Sequence, residues 1–192
     1  MKKVLLVCLI VLGVIGCGKQ EVPQDKIVIT NPVDIQGEKT DMSNYQWIND
    51  PDNVFIEISM AESIRFFAEK GSGILVYGYP SCIYCERAFP ELNKIAKQHG
   101  VTVYYVNVYR EDVKPEIYNE LRPHIESIFE VENGKPVFKV PEVMAIKKGE
   151  IVGHHLALVE GYHVESETSQ MNDTQKEELQ NIYLELFKAA AD

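Results

Sequence analysis

Two cysteines three residues apart, in Cys82-Ile83-Tyr84-Cys85, are the residues of this 192-residue chain best suited to covalent chemistry. Before them runs an apolar stretch of buried-strand type, Gly73 to Tyr79. After them come Ala88, Phe89, Leu92, Ile95 and Ala96 at helical spacing, with Gly100 as terminator. The pair therefore stands where a strand turns into a helix, expected over Cys82–His99. The first turn of a helix has unpaired N–H groups and a partial positive charge, and both stabilise a thiolate relative to a thiol. A free cysteine value of about 8.5 can fall to roughly 3.5–7.5 in such a place. This predicts Cys82 as an exposed attacking sulfur and Cys85, one turn further in, as the sulfur that resolves a mixed disulfide. A loop this short restricts the unfolded chain little, so the pair is chemical rather than a structural staple.

Other chemistries that begin with the same spacing fit less well. Haem attachment requires a histidine after the second cysteine, and that residue is Glu86. The five histidines are scattered. His154 and His155 end a predicted strand and so point to opposite faces; His99 is near a helix C-terminus, and His124 and His163 stand alone. No metal or organic cofactor is expected. The formal net charge of −10 argues against a nucleic-acid partner, which would need clustered Lys and Arg.

The remaining cysteines, Cys8 and Cys17, lie in the N-terminal segment. Lys2 and Lys3 precede an apolar run from Val4 to Ile15, too short for the ~20 residues of a membrane-spanning helix but of signal-peptide length. The run ends Val14-Ile15-Gly16-Cys17, which resembles the lipobox of bacterial lipoproteins. That resemblance implies cleavage after residue 16 and lipid on Cys17; an ordinary signal peptide or an uncleaved anchor is the other reading. Cleavage would remove Cys8 and leave only Cys82 and Cys85 as free thiols, with no second pair for a Cys₄ zinc site. It would also place the chain outside the cytoplasm, in oxidising surroundings.

The elements that must hold the pair follow in order. Three parts are expected: a signal segment 1–16, a lipidated tether and N-terminal extension 17–53, and a domain 54–192. Ile27–Thr30 reads as a short strand stopped by Asn31-Pro32, and Tyr45, Trp47 and Ile48 as anchors of the extension. Val54–Ile58 is a strand, and Ser59 with Glu62 forms a capping-box pattern for the helix that Gly71 ends. Val101–Tyr109 reads as a strand, and Pro115–Phe129 as a helix that Pro123 kinks or splits. Val143–Lys147 and Ile151–His155 form a hairpin about Lys148-Gly149-Glu150. Thr174 and Glu177 suggest a capping box for a last helix carrying Leu179, Ile182, Tyr183, Leu186 and Phe187. Strands and helices alternating in this way predict an α/β fold with a central mixed sheet of four to five strands flanked by helices.

With the cysteine pair so placed, the chain resembles the thioredoxin superfamily. Pro90, five residues after Cys85, lies where that family kinks its active-site helix. Val140-Pro141 lies where it places a cis-proline facing the disulfide, and Pro141 to Glu150 follows its proline, apolar strand, basic residues and Gly-Glu turn. The layout is similar to exported thioredoxin-like lipoproteins and bacteriocin-transport accessory proteins. The resemblance implies a thioredoxin fold with an N-terminal extension, and a thiol–disulfide oxidoreductase acting on exported proteins and recycled by a separate redox partner. It implies Cys82 and Cys85 as catalytic residues, with Val140, Pro141, Ile83 and Tyr84 against an extended substrate. The alternatives are a non-catalytic binding module and, more remotely, a metallochaperone. The chain departs from thioredoxins proper at Ser81, at Ile83-Tyr84 and at Val76, where the family has a tryptophan, Gly-Pro and a buried acid.

Overall fold

A computed structural model describes residues 25–192; the signal segment, Cys17 and most of the tether lie outside the described residues. The sheet is built around β3 (Gly73–Gly78), whose six residues are all buried. Its side chains alternate between two cores, as the period of two requires. Ile74 and Val76 face one with α2 (Cys85–His99) and α4 (Asp173–Ala190). Leu75 and Tyr77 face the other with α1 (Met60–Ala68) and α3 (Pro115–Ile125).

Parallel to β3 runs β4 (Val103–Asn107), and parallel to β4 runs β2 (Phe55–Ile58). On the other side β7 (Glu142–Lys147) is antiparallel to β3, and β8 (Glu150–Leu156) antiparallel to β7. This mixed sheet between two helical layers is the expected thioredoxin fold. A sixth strand exceeds the four to five expected: β1 (Gly37–Lys39), from the N-terminal extension, pairs antiparallel with β2. All three of its residues are exposed, so it has no apolar pattern to betray it.

Several local expectations are corrected. Ile27–Thr30 is not a strand, because its backbone is paired with helix ends. Ile27 N–H donates to His99 O and Asp192 N–H to Val28 O. Ser59 does cap α1 by accepting from Glu62 N–H, but the Glu62 carboxylate turns instead to Gln36 N–H and Arg65. The capping box of α4 belongs to Asn172 and Gln175, two residues before the expected start at Thr174. α3 ends at Ile125, two residues past Pro123, and passes into a 3-10 turn over Glu126–Ile128. Beyond it lies an unforeseen hairpin, β5 (Glu130–Glu132) with β6 (Lys135–Val137), closed by Asn133-Gly134 at positive φ. Asn-Gly between short polar strands is a hairpin signal in its own right.

The extension lies along α2. Tyr45 packs on Phe89 with ring centroids 5.1 Å apart, and Glu86 accepts from Gln46 N–H at 2.7 Å. Asp50 reaches Asn93 and Lys97 further down the helix. Met42, Tyr45 and Ile48 thereby join the same core as the two cysteines.

Candidate functional site

β3 delivers the chain into a turn, Tyr79-Pro80-Ser81, in which Ser81 takes φ 70° and Cys82 N–H donates to Tyr79 O. The helix begins at Cys85, three residues later than expected. Cys82 therefore precedes the helix rather than opening it, and its sulfur accepts the N–H of Cys85 at 3.2 Å. Cys85 packs against the end of β3: a Cβ at Gly78 would stand 3.1 Å from its sulfur and 2.6 Å from Phe89 Cζ, so only glycine allows this approach.

The thiols of Cys82 and Cys85 are both free, and they are unequal. A hydrogen bond from the Cys85 thiol, with backbone N–H groups of Cys85 and Tyr84, brings Cys82 down to about 7 against the opposing effects of burial and Glu86. Burial drives Cys85 far above the ordinary thiol range, and its bond to Cys82 pushes the same way. The exposure expected of Cys82 is corrected, however: it is 5% exposed and Cys85 fully buried. The turn presses the Cys82 sulfur towards Val140 O, 3.9 Å away, and projects Ile83 and Tyr84 into solvent instead.

Val140-Pro141 is cis and brings Val140 beside Cys82. The sequence-derived set Cys82, Ile83, Tyr84, Cys85, Val140 and Pro141 thus gathers at one end of the sheet. Cys17 lies outside the described residues. Tyr79 packs edge-to-face on Tyr109 at 4.3 Å, and Tyr109 is 72% exposed, adding a second aromatic surface next to the motif. Pro90 lies inside α2.

At Val76 the side chain is apolar, and its polar neighbour on that face is a phenol. Tyr105, the register partner of Val76, meets Tyr45 hydroxyl to hydroxyl at 2.9 Å. Burial raises both phenols, and charge on either cysteine raises them further. Glu142, directly after Pro141, is a buried carboxyl raised to about 8 by burial and by Glu130. His154 Nδ1 lies 3.1 Å from its Oε1, and burial lowers that imidazole. Glu142 pairs across the sheet with Tyr77, on the face away from Cys85. His155 lies across from Val143 and near Tyr183, so the two adjacent histidines do face opposite sides.

Glu142 and Arg87 escaped the sequence reading, because a charged residue within a strand or helix period is indistinguishable from a solvated one until packing is known. Among the described residues, no three His, Cys, Asp or Glu side chains converge as a metal site. No helix among them is long and apolar enough to cross a membrane.

No family model matches the chain, and no curated protein does. Among solved structures, one described as a candidate oxidoreductase with a thioredoxin fold is 17% identical, with a TM-score of 0.39 over 54% of this chain and 83% of its own. That likeness is partial, and the chemistry of Cys82 and Cys85 rests on their own surroundings.

Proposed function

We propose that the chain is a membrane-tethered, extracytoplasmic thiol–disulfide oxidoreductase acting on exported proteins. The observation that carries this reading is the inequality of the two thiols: a lowered Cys82 held by the Cys85 N–H, beside a buried Cys85 whose proton is retained. A nucleophile poised near neutrality and a protected second thiol are what sequential exchange requires.

The Cys82 thiolate attacks one sulfur of a substrate disulfide. That S–S bond breaks, one substrate sulfur leaves as a thiolate and takes a proton, and Cys82 remains joined to the other. Cys85 then gives up its proton and attacks the Cys82 sulfur, releasing the second substrate thiolate and closing a Cys82–Cys85 disulfide. Two electrons pass to the substrate, and an external dithiol protein must return them. Oxidation of a substrate dithiol is the same sequence reversed, with an external disulfide as acceptor. Because Cys82 is nearly buried, the substrate segment must be extended enough to reach the sulfur beside Val140 and Pro141, with Ile83, Tyr84, Tyr79 and Tyr109 as apolar ground for its flanks. The lipobox-like Val14–Cys17 supports a lipid anchor on Cys17.

The test is Cys85→Ser in the full chain, which removes the resolving thiol and keeps a hydroxyl donor beside Cys82. Cys82-linked mixed disulfides with exported proteins are expected, and they should vanish when Cys82→Ala is added. A complete lack of trapped species would favour a docking module whose pair takes no part in exchange.

A further inference from the structure

Arg87 has no part in the exchange steps, yet its position is electrostatically costly. It lies in the first turn of α2, two residues after Cys85, and is 2% exposed. Its guanidinium donates to four backbone carbonyls: Ile83 O at 2.6 Å, Glu167 O at 2.7 Å, and Ser166 O and Ser169 O at 2.9 Å each. Among the described residues it makes no ion pair with a carboxylate. A buried charge without a counter-ion is unfavourable, and a cation in the first turn also opposes the helix macrodipole. An apolar side chain of similar length would fill the space without either cost.

What the charge does is visible in its partners. Ile83 lies inside the cysteine motif. The other three carbonyls belong to the loop between β8 and α4, which starts by donating Ala157 N–H to Pro141 O at 2.8 Å. That loop also buries Leu158, Val159 and Met171 in the core shared with the cysteines. One side chain thus ties the motif turn to a loop that is itself fastened at the proline end of β7.

We propose that Arg87 is a positioning residue for Cys82: its fork fixes the Ile83 carbonyl, and so the turn in which the Cys85 N–H meets the Cys82 sulfur, and its unpaired positive charge favours the thiolate. This rests on the exchange reading of Cys82, although ionisation of the thiol needs no protein substrate. The groups facing Cys82 are Cys85 and Glu86 on α2, Tyr79 before the motif, Tyr45 of the extension and Tyr105 on β4. Lys139 adjoins Val140, and Tyr183 on α4 lies near Cys85. Glu86 opposes ionisation of Cys82, while Glu165 and Glu167 on the loop are exposed.

The experiment is the pH profile of Cys82 alkylation by iodoacetamide, read by mass spectrometry in the full chain and in Arg87→Met, Arg87→Gln and Arg87→Lys, with circular dichroism as the check of folding. Arg87→Met and Arg87→Gln should move the midpoint upward and slow alkylation about five- to tenfold near pH 6, with an unchanged plateau at high pH. Arg87→Lys, which keeps charge but loses the fork, should fall between them and the parent. If Arg87→Met does not fold, Arg87→Gln and Arg87→Lys make the same comparison. An unmoved midpoint in folded Arg87→Gln overturns the proposal, and so does loss of fold in all three, which would make Arg87 purely structural. Either result leaves the trapping experiment on Cys85→Ser free to succeed, and failure of trapping with a shifted midpoint would sink the exchange reading alone.

Discussion

The difference between Cys82 and Cys85 arises within one turn of chain. Cys82 precedes the helix and collects hydrogen bonds at its sulfur, whereas Cys85 opens the helix and turns its sulfur into the core. Because the Cys85 thiol is itself the largest influence lowering Cys82, Cys85→Ala should raise the Cys82 titration midpoint above about 7 and slow its alkylation several-fold at neutral pH. Glu86→Gln should act in the opposite direction, since Glu86 disfavours the thiolate. Glu142 gives a separate pH signature. Its folded value of about 8 lies above the 4.5 of an ordinary glutamate, so the folded state holds the proton more tightly. The stability it contributes is full below about pH 4.5 and is lost as pH rises through about 8. Denaturant titrations across that window should show this decline in the parent and its absence from Glu142→Gln, which keeps the shape and the partner His154 but has no proton to lose.

The helices and strands that carry the site were mostly legible because their apolar periods are clean. β3, α2, β7 and α4 each bury a consistent stripe, and the cysteine motif falls between two of them. What escaped the sequence is polar or irregular. β1 is three exposed residues; the hairpin β5–β6 is mostly exposed; and the motif turn delays the helix because Ser81 adopts φ 70°. The burial of Cys82 escaped for a related reason: the chain that covers it, around Val140, is distant in sequence. The extension belongs to the same class, with a few apolar anchors among turn-forming residues. Tyr45 is its principal anchor, packed on Phe89 and Tyr105 and bonded to the Tyr105 hydroxyl. Tyr45→Ala should cost about 3–5 kcal/mol of unfolding free energy by loss of a buried aromatic, whereas Tyr45→Phe should cost about 1 kcal/mol for the hydroxyl pair. Chemical denaturation of the two variants separates packing from hydrogen bonding.

For the whole molecule, a thioredoxin fold is extended at one sheet edge by β1 and bound along α2 by the segment that follows, with the cysteine pair at the far end of β3. The proposed tether at Cys17 would hold this unit at a membrane surface, and metabolic labelling of cells with a fatty acid should mark the parent chain and not Cys17→Ser. Whether Cys82 and Cys85 exchange as a pair is decided by equilibrium redox titration of the full chain. The protein is held in graded thiol–disulfide buffers, quenched with an alkylating agent and weighed. A single two-electron transition is predicted, in which Cys82 and Cys85 are alkylated together at the reducing end and joined to each other at the oxidising end. A pair that stays alkylatable, or stays closed, across the whole range would rule out exchange through Cys82 and Cys85.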